Sequence, residues 1–378
     1  MKFIIQRDHL VQSVQDVMKA VSSRTTIPIL TGIKIVATDE GVTLTGSDSD
    51  VSIESFIPKD EEDKVIVEIQ QPGAIVLQAK FFSEIVKKLP TDQVEIEVHQ
   101  SMQTVIRSGT AEFNLIGLDA DEYPHLPQVE EDNIFKIPTD LLKAIIRQTV
   151  FAVSTSETRP ILTGVNWKIE NNELICIATD SHRLALRKAP IELAADATYN
   201  VVIPGKSLNE LSKILAENNE AIEIVITENQ ILFKAKHLLF FSRLLEGNYP
   251  DTSRLIPSES KTDIVLKTKE FLQAIDRASL LARESRNNVV KLSTAETGEI
   301  EISSITPEVG KVVEDIKSES IEGEELKISF SAKYMMDALK ALEGTDIKIS
   351  FTGAMRPFII QPMNDESTLQ LILPVRTY

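Results

Sequence analysis

One cysteine, Cys176, stands in a chain of 378 residues, so no disulfide can close within it. It lies in the apolar run Glu173-Leu-Ile-Cys-Ile-Ala-Thr179, which reads as a buried strand rather than a reactive thiol. The five histidines (His9, His99, His125, His182, His237) never fall at the spacing of a zinc motif. The 14 glycines include no Gly-x-Gly-x-x-Gly. Gly205-Lys-Ser207 imitates the tail of a phosphate-binding loop, but Asn200 stands where that loop needs its first glycine. No apolar run reaches the ~18 residues of a membrane helix. The opening Met1-Lys-Phe-Ile-Ile-Gln-Arg-Asp8 lacks the apolar core of a secretion signal. The expectation is a cytoplasmic protein without metal or cofactor.

Positive charge is also short. The net charge is −17. Residues 1–131 carry 11 basic and 22 acidic side chains, so the excess is concentrated in the first third. Such a balance argues against indiscriminate adhesion to nucleic acid or to an anionic membrane, while leaving room for a local basic surface.

What is present is repetition. Arg24-Thr-Thr-Ile-Pro-Ile-Leu-Thr-Gly32 returns as Glu157-Thr-Arg-Pro-Ile-Leu-Thr-Gly164. In the same register Asp8 matches Asp140, Leu10 matches Leu142, Ala20-Val-Ser22 matches Ala152-Val-Ser154, and Asp48-Ser49 matches Asp180-Ser181. A fainter third copy aligns Leu272, Ala282, Ser285 and Arg286, with Asn287-Asn-Val-Val-Lys-Leu292 replacing the Pro-Ile-Leu-Thr-Gly. A period this long copies whole domains rather than solenoid units. The expected division is 1–128, 129–257 and 258–378, with acid- and proline-rich linkers at His125–Asp132 and Ser253–Ser260.

Within each unit an alternating strand (Lys2–Gln6, Ile134–Ile137) precedes an amphipathic helix, with Asp8, Thr139 or Asp140, and Thr268 as candidate caps. Leu10, Val14, Val17 and Val21 mark the buried stripe of the first, and Leu142, Ile145, Ile146 and Thr149 that of the second. Strands follow at Thr31–Thr38, Val42–Gly46, Val51–Pro58 and Val65–Ile69. A second helix opens at Ala79, Gly205 and Ala332, and the strands Val94–Val98, Ile222–Ile226 and Ile347–Phe351 come after it. Many strands joined at hairpin scale, as at Thr38–Gly41, with two helices per unit, imply an α+β fold of helices on antiparallel sheet. Each second helix carries two lysines two turns apart: Lys80 and Lys87, Lys206 and Lys213, Lys333 and Lys340. One such pair is an ordinary solvated face; three in one register suggest a shared use.

No catalytic constellation emerges. Thr179-Asp-Ser-His-Arg183 holds Ser, His and Asp too close in sequence to meet as a triad. Asp48/Asp50 and Asp119/Asp121/Glu122 read as turn chemistry.

Several stretches nevertheless resemble a known family: Met1-Lys-Phe3, Arg24 before Pro28-Ile-Leu30, Arg107-Ser-Gly109, Tyr123-Pro124, Ala178-Thr-Asp-Ser-His-Arg-Leu-Ala185, Asn248-Tyr-Pro-Asp251 and Leu373-Pro-Val-Arg376. Over its whole length the chain resembles the bacterial sliding clamps, the β subunits of DNA polymerase III, and is nearest in wording to those of low-GC Gram-positive bacteria. The resemblance implies the DNA clamp fold: three domains per chain, and two chains head to tail in a ring around duplex DNA. It implies a non-enzymatic processivity factor. Arg24, Lys80, Lys87, Lys143, Arg147, Lys206, Lys213, Arg277, Lys333 and Lys340 would line the hole and attract phosphates without reading bases.

It also implies a cleft for short motifs of the polymerase III α subunit, the clamp loader and other clamp-binding proteins. Its matching positions are Arg159, Leu162, Thr179, His182, Arg183, Leu184, Pro250, Arg254 and Leu255 from the second unit. From the third come Ser331, Tyr334, Met355, Pro357, Leu371, Leu373, Pro374, Val375 and Arg376. Phe113 and Leu115 would meet Leu280 and Leu281 of a second copy. Thr110 and Glu112 stand where some clamps carry arginines, so the ion pairs of those clamps do not carry over. Competing readings are a carboxylate-dependent nuclease or hydrolase built on Asp48/Asp50 or Asp180-Ser-His182, and a peptide-binding scaffold that does not encircle DNA.

Overall fold

The computed structural model describes residues 1–126, 129, 134–193, 198–216, 220–283, 288–295, 298–307, 309–342, 344 and 346–376. Ser285, Arg286 and Asn287 of the third copy, and most of the acidic stretch His125–Asp132, lie outside them. Among the described residues stand six α-helices: α1 (Arg7–Val17), α2 (Ala79–Lys87), α3 (Thr139–Thr149), α4 (Gly205–Ile214), α5 (Thr268–Ala282) and α6 (Ala332–Ala341). Three times a strand leads into a helix, several strands follow, and a second helix leads into three closing strands. The repeated sequence is therefore a repeated α+β architecture.

By packing, the chain forms two compact units. One comprises residues 1–139 and 210–244, the other 140–209 and 245–378. All named sheets are antiparallel, as the alternation predicts. In the first unit an eight-stranded sheet runs in the order Phe135–Pro138, Ala221–Ile226, Gln230–Ala235, Leu238–Arg243, Val51–Pro58, Gly41–Ser47, Gly32–Thr38, Gly73–Gln78. A five-stranded sheet has Ala111–Ile116 at one edge. In the second unit a nine-stranded sheet sets Thr368–Ile372 beside Arg183–Pro190, and a four-stranded sheet ends on Gly310–Lys317. Strands of one sequence repeat thus join those of the next inside one sheet.

Alternation builds the core. In Val51–Pro58 every second residue, Val51, Ile53, Ser55 and Ile57, is buried. Leu10, Val14 and Val17 of α1 are buried as expected, and each such side chain contributes about 1.5–3 kcal/mol. In the second unit α5 and α6 pack with Phe330, Phe351 and Phe358 in one core, the Phe358 ring centroid 5.7 Å from that of Phe330 and 5.0 Å from that of Phe351. Cys176 is fully buried in its strand, and burial pushes its thiol pKa up.

The echoed Pro-Ile-Leu-Thr-Gly has one structure twice. Pro28–Thr31 and Pro160–Thr163 each form a 3₁₀ turn. The closing threonine hydroxyl donates to the proline carbonyl, at 2.8 Å from Thr31 and 2.7 Å from Thr163. A Cβ on Gly32 would lie 2.4 Å from Val76 Cγ1, and one on Gly164 2.7 Å from Ile203 O. Close strand packing holds both glycines.

Three details differ from expectation. Neither Asp8 nor Thr268 caps a helix: Gln6 and Lys267 take those positions without a side-chain bond, and Thr268 is buried as the first residue of α5. Thr139 opens α3, and its hydroxyl donates to Glu220 O at 2.7 Å. Ser331 is the side-chain cap that the pattern did not reveal, accepting from Tyr334 N. Val21 is only half-buried, because α1 ends at Val17 and a 3₁₀ turn intervenes.

Candidate functional site

The second repeat's Asp180-Ser-His-Arg183 is a tight turn between two strands. Asp180 Oδ1 accepts from the amides of His182 (2.9 Å) and Arg183 (3.1 Å), and Ser181 takes φ 77°. This bonding points the Arg183 side chain inward. Its guanidinium is nearly sealed from solvent, and every side of it is used. Nε donates to Asp180 (3.0 Å), Nη1 to Asp337 of α6 (2.6 Å) and Nη2 to the Phe151 carbonyl (2.6 Å). The Tyr334 ring lies 4.5 Å from the guanidinium carbon, and His182 stacks beside that ring. A buried cation needs this degree of pairing. Arg183 is therefore a floor that fixes α6 against the turn, and not a free donor for a ligand.

Several of the other cleft candidates are tied to this turn, all within the second unit. Leu373 N donates to His182 O (3.0 Å), which brings Leu373-Pro-Val-Arg376 alongside the turn. Thr179 N donates to the Tyr249 hydroxyl (3.0 Å), which ties in the segment carrying Pro250. Asp251 Oδ1 accepts from Ser253 N and so orders the 3₁₀ turn bearing Arg254 and Leu255; that bond also holds the Asp251 pKa down. Leu184 and Leu371 are buried together in a small apolar cluster that Leu373 covers. Leu255 and Met355 are large apolar side chains about half exposed, at 50% and 55%. Arg159 and His182 are exposed, and Arg159 donates to Ser181 Oγ (2.8 Å). Pro250 and Arg376 are also exposed, while Pro357, Pro374 and Val375 are half-buried. Leu162 is 3% exposed and Ser331 is a buried helix cap, so both support the walls. Half-exposed apolar side chains and a few oriented polar groups are the residue types a peptide site uses.

The basic candidates sit on helices and on one loop. Arg24, Lys80, Lys87, Arg147, Lys206, Lys213, Arg277, Lys333 and Lys340 are exposed, and Lys143 is half-buried. They are not equivalent. An acidic residue stands three places before the second lysine in α2, α4 and α6: Glu84, Glu210 and Asp337. Glu84 lies 3.8 Å from Lys87, and Glu210 2.8 Å from Lys213. Asp337 is drawn away to Arg183, and Lys340 has no carboxylate partner among the described residues. Arg277 binds Glu314 of the edge strand Gly310–Lys317, so its charge is largely answered within the unit. In the first unit Lys87 and Lys213 share an open groove with Lys19, a cation the sequence reading passed over.

The edge strand Ala111–Ile116 leaves one side of its five-stranded sheet unpaired. Phe113 and Leu115 are half-buried on one face of it, and Ile116 is 82% exposed. Glu112 is held by Arg107 (2.9 Å), which also binds Glu95 and Glu97; the bond from Arg107 lowers the pKa of Glu112. In the second unit Leu280 is 62% exposed and Leu281 is half-buried on α5.

One carboxylate of each cluster read as turn chemistry, and Asp180, is engaged with backbone. Asp48 Oδ1 accepts from Asp50 N and Val51 N, as Asp180 does in its turn, and Asp119 accepts from Asp121 N. Among the described residues no group of three or more His, Cys, Asp or Glu could hold a metal. Sequence reading missed Phe151, Tyr249 and Asp337. For Asp337 a signal existed, namely its acidic register with Glu84 and Glu210.

With this geometry in view, the whole chain matches known proteins. It fits the family models described as DNA polymerase III beta subunit, N-terminal domain (residues 1–127), central domain (136–251) and C-terminal domain (253–376). It is 74% identical to the beta sliding clamp of Bacillus subtilis, with 100% of both chains covered. It superposes on a crystal structure of the DNA polymerase sliding clamp from Bacillus subtilis with a TM-score of 0.97 at 74% identity, again over all of both chains. A Pseudomonas aeruginosa clamp solved bound to griselimycin gives 0.92 at 25% identity with full coverage of both chains. The chain belongs to the DNA polymerase III beta subunit family, and its function is that of a sliding clamp, a processivity factor for DNA polymerase.

Proposed function

We propose that two copies of this chain close head to tail into a ring around duplex DNA, each contributing three domains divided near residues 128 and 257. A head-to-tail contact that closes after two subunits gives a finite assembly. It would cover the unpaired edge at Ala111–Ile116, with Phe113 and Leu115 against Leu280 and Leu281 of the second copy. The lysine pairs of α2, α4 and α6, with Arg24, Lys143 and Arg147, would face the DNA and attract phosphates irrespective of sequence. Lys333 and Lys340 would contribute most, because Asp337 is held elsewhere. The cleft around Leu373, Met355, Leu255 and His182 would seat short motifs of the polymerase α subunit, the clamp loader and other replication proteins. Nothing in this requires a catalytic group, a metal or a cofactor, and the compartment is the cytoplasm.

The observation that carries the reading is the buried Arg183–Asp337 bridge. It holds α6 against the turn beside the proposed cleft and takes Asp337 away from Lys340 on the same helix. The test is primer extension by the replicative polymerase. This chain should lengthen the products, and a variant with both Leu373→Ala and Met355→Ala should lose the gain while remaining dimeric by mass. Unchanged extension by that variant would remove the cleft from the account. The nuclease alternative predicts that Asp180→Ala abolishes a DNA-cleaving activity, and the clamp reading predicts none to abolish.

A further inference from the structure

At the far end of the junction between Val51–Pro58 and Leu238–Arg243, the first unit holds a cavity of about 270 Å³. Its walls are apolar, with Phe56, Ile57, Leu215, Ile222 and Leu238. Four polar residues of α1, His9, Gln12, Ser13 and Asp16, line it as well. Ser13 is 3% exposed, and its Oγ has no hydrogen-bond partner, an arrangement that costs about 1–3 kcal/mol when nothing answers it. Asp16 accepts from Gln12 (3.0 Å), and burial raises its pKa to about 6, so it is ionised at neutral pH yet poorly solvated. Glu61 and Lys236 on the rim lie 3.4 Å apart and answer each other. Burial lowers the pKa of His237, so that ring is neutral at pH 7. His9 and Glu220 complete the titratable lining. Lys19, Lys87 and Lys213 border Asp16 from the neighbouring groove and do not line the cavity.

The second repeat shows what this end of the junction accepts. Phe56 N donates to His237 O at 2.8 Å, and Lys188 N donates to Ser367 O at 2.7 Å, so the two junctions are in register. At the position of Ser55 the second repeat carries Arg187, whose guanidinium binds Asp365, Ser367 and Thr368. That copy supplies its own cation on an apolar stem; Ser55 supplies none.

We propose that the first unit's cavity is a binding site for a small amphipathic cation, an amidine, guanidine or amine on an apolar body. The cation would pair with Asp16, donate to Ser13 Oγ and lie against Phe56. Its volume, just under the ~300 Å³ lower end of ligand pockets, suits one aromatic ring or one arginine-sized stem. The cavity shares no residue with the peptide cleft, so its failure would leave the clamp reading untouched.

The experiment is calorimetric titration of the full chain with benzamidine, N-acetylarginine methylamide and benzyl alcohol, repeated on Asp16→Asn and Ser55→Arg. Benzamidine should bind once per chain, and benzyl alcohol, the same body without charge, at least tenfold more weakly. Asp16→Asn should cut benzamidine affinity at least tenfold and leave benzyl alcohol unchanged; Ser55→Arg should remove both. Capped arginine binding as tightly as benzamidine assigns the site to a protein side chain, and weaker binding assigns it to a free organic cation. Equal affinity for benzamidine and benzyl alcohol, no binding of either cation, or binding untouched by both variants would overturn the proposal.

Discussion

Where Leu238–Arg243 lies beside Val51–Pro58, the preceding turn Ser47–Val51 ends on a valine; where Thr368–Ile372 lies beside Arg183–Pro190, the matching turn ends on Arg183. The backbone is the same in both. Arg243 N donates to Asp50 O (2.8 Å) as Leu373 N donates to His182 O (3.0 Å). Ser49 and Ser181 take φ of 79° and 77°, and Asp48 and Asp180 bond the amides that follow them. Only side chains differ. Arg183 recruits Asp337, Tyr334 and Phe151 at one end of its junction, and Arg187 recruits Asp365 at the other. Val51 is simply buried, and Ser55 leaves a cavity. One duplicated scaffold thus carries buried arginine networks at one junction and a pocket at the other, where two positions hold arginine in one copy and a small residue in the other.

The largest test of that contrast is Arg183→Ala against Val51→Ala. Removing a buried guanidinium strands Asp180 and Asp337, and should cost about 3–5 kcal/mol by denaturant unfolding together with loss of motif-peptide binding. Val51→Ala should cost roughly 1–2 kcal/mol and leave peptide affinity intact. Comparable losses of peptide binding would erase the distinction between the junctions. Next, Leu373→Ala or Met355→Ala should weaken a fluorescent motif peptide by about 1–2 kcal/mol, with the dimer unchanged in mass.

A subtler contrast lies in α1, where Asp16 stands at the place Gln148 holds in α3. Its pKa is about 6 folded against 3.8 unfolded, so the folded state binds the proton more tightly. The stability Asp16 contributes is complete below about pH 4 and is lost as pH rises towards 6. Asp16→Asn should therefore gain on the order of 1 kcal/mol at pH 7 and little at pH 4, read from unfolding midpoints. A gain of equal size at both pH values would contradict the cause. Smallest is the lysine contrast. Lys340→Ala should lower the salt slope of DNA binding by about one counterion, and Arg277→Ala, already answered by Glu314, by less.

The sequence displayed more of the fold than of the site. Periodicity placed the strand Val51–Pro58 at both ends, because alternation over half-buried sheet is a local signal. The helix starts were legible, but the caps were not, since strands run directly into α1 and α5 and leave Asp8 and Thr268 inside them. In the cleft, resemblance supplied positions but not burial. Arg183 reads as an exposed charge until Asp337, distant in sequence, closes on it. Leu162 and Leu255 look alike in sequence, yet one is buried and the other half bare, a difference decided by tertiary neighbours alone. The cavity beneath Ser55 was illegible for the same reason: it exists through what a serine fails to fill.

On the proposed reading this chain holds DNA by enclosing it. The most direct measurement loads the clamp onto a nicked circular plasmid, raises the salt, and follows bound protein before and after a single cut linearises the circle. Enclosure predicts retention on the circle at salt that abolishes phosphate contacts, and rapid loss once an end exists. Equal rates of loss from circle and linear DNA would contradict it.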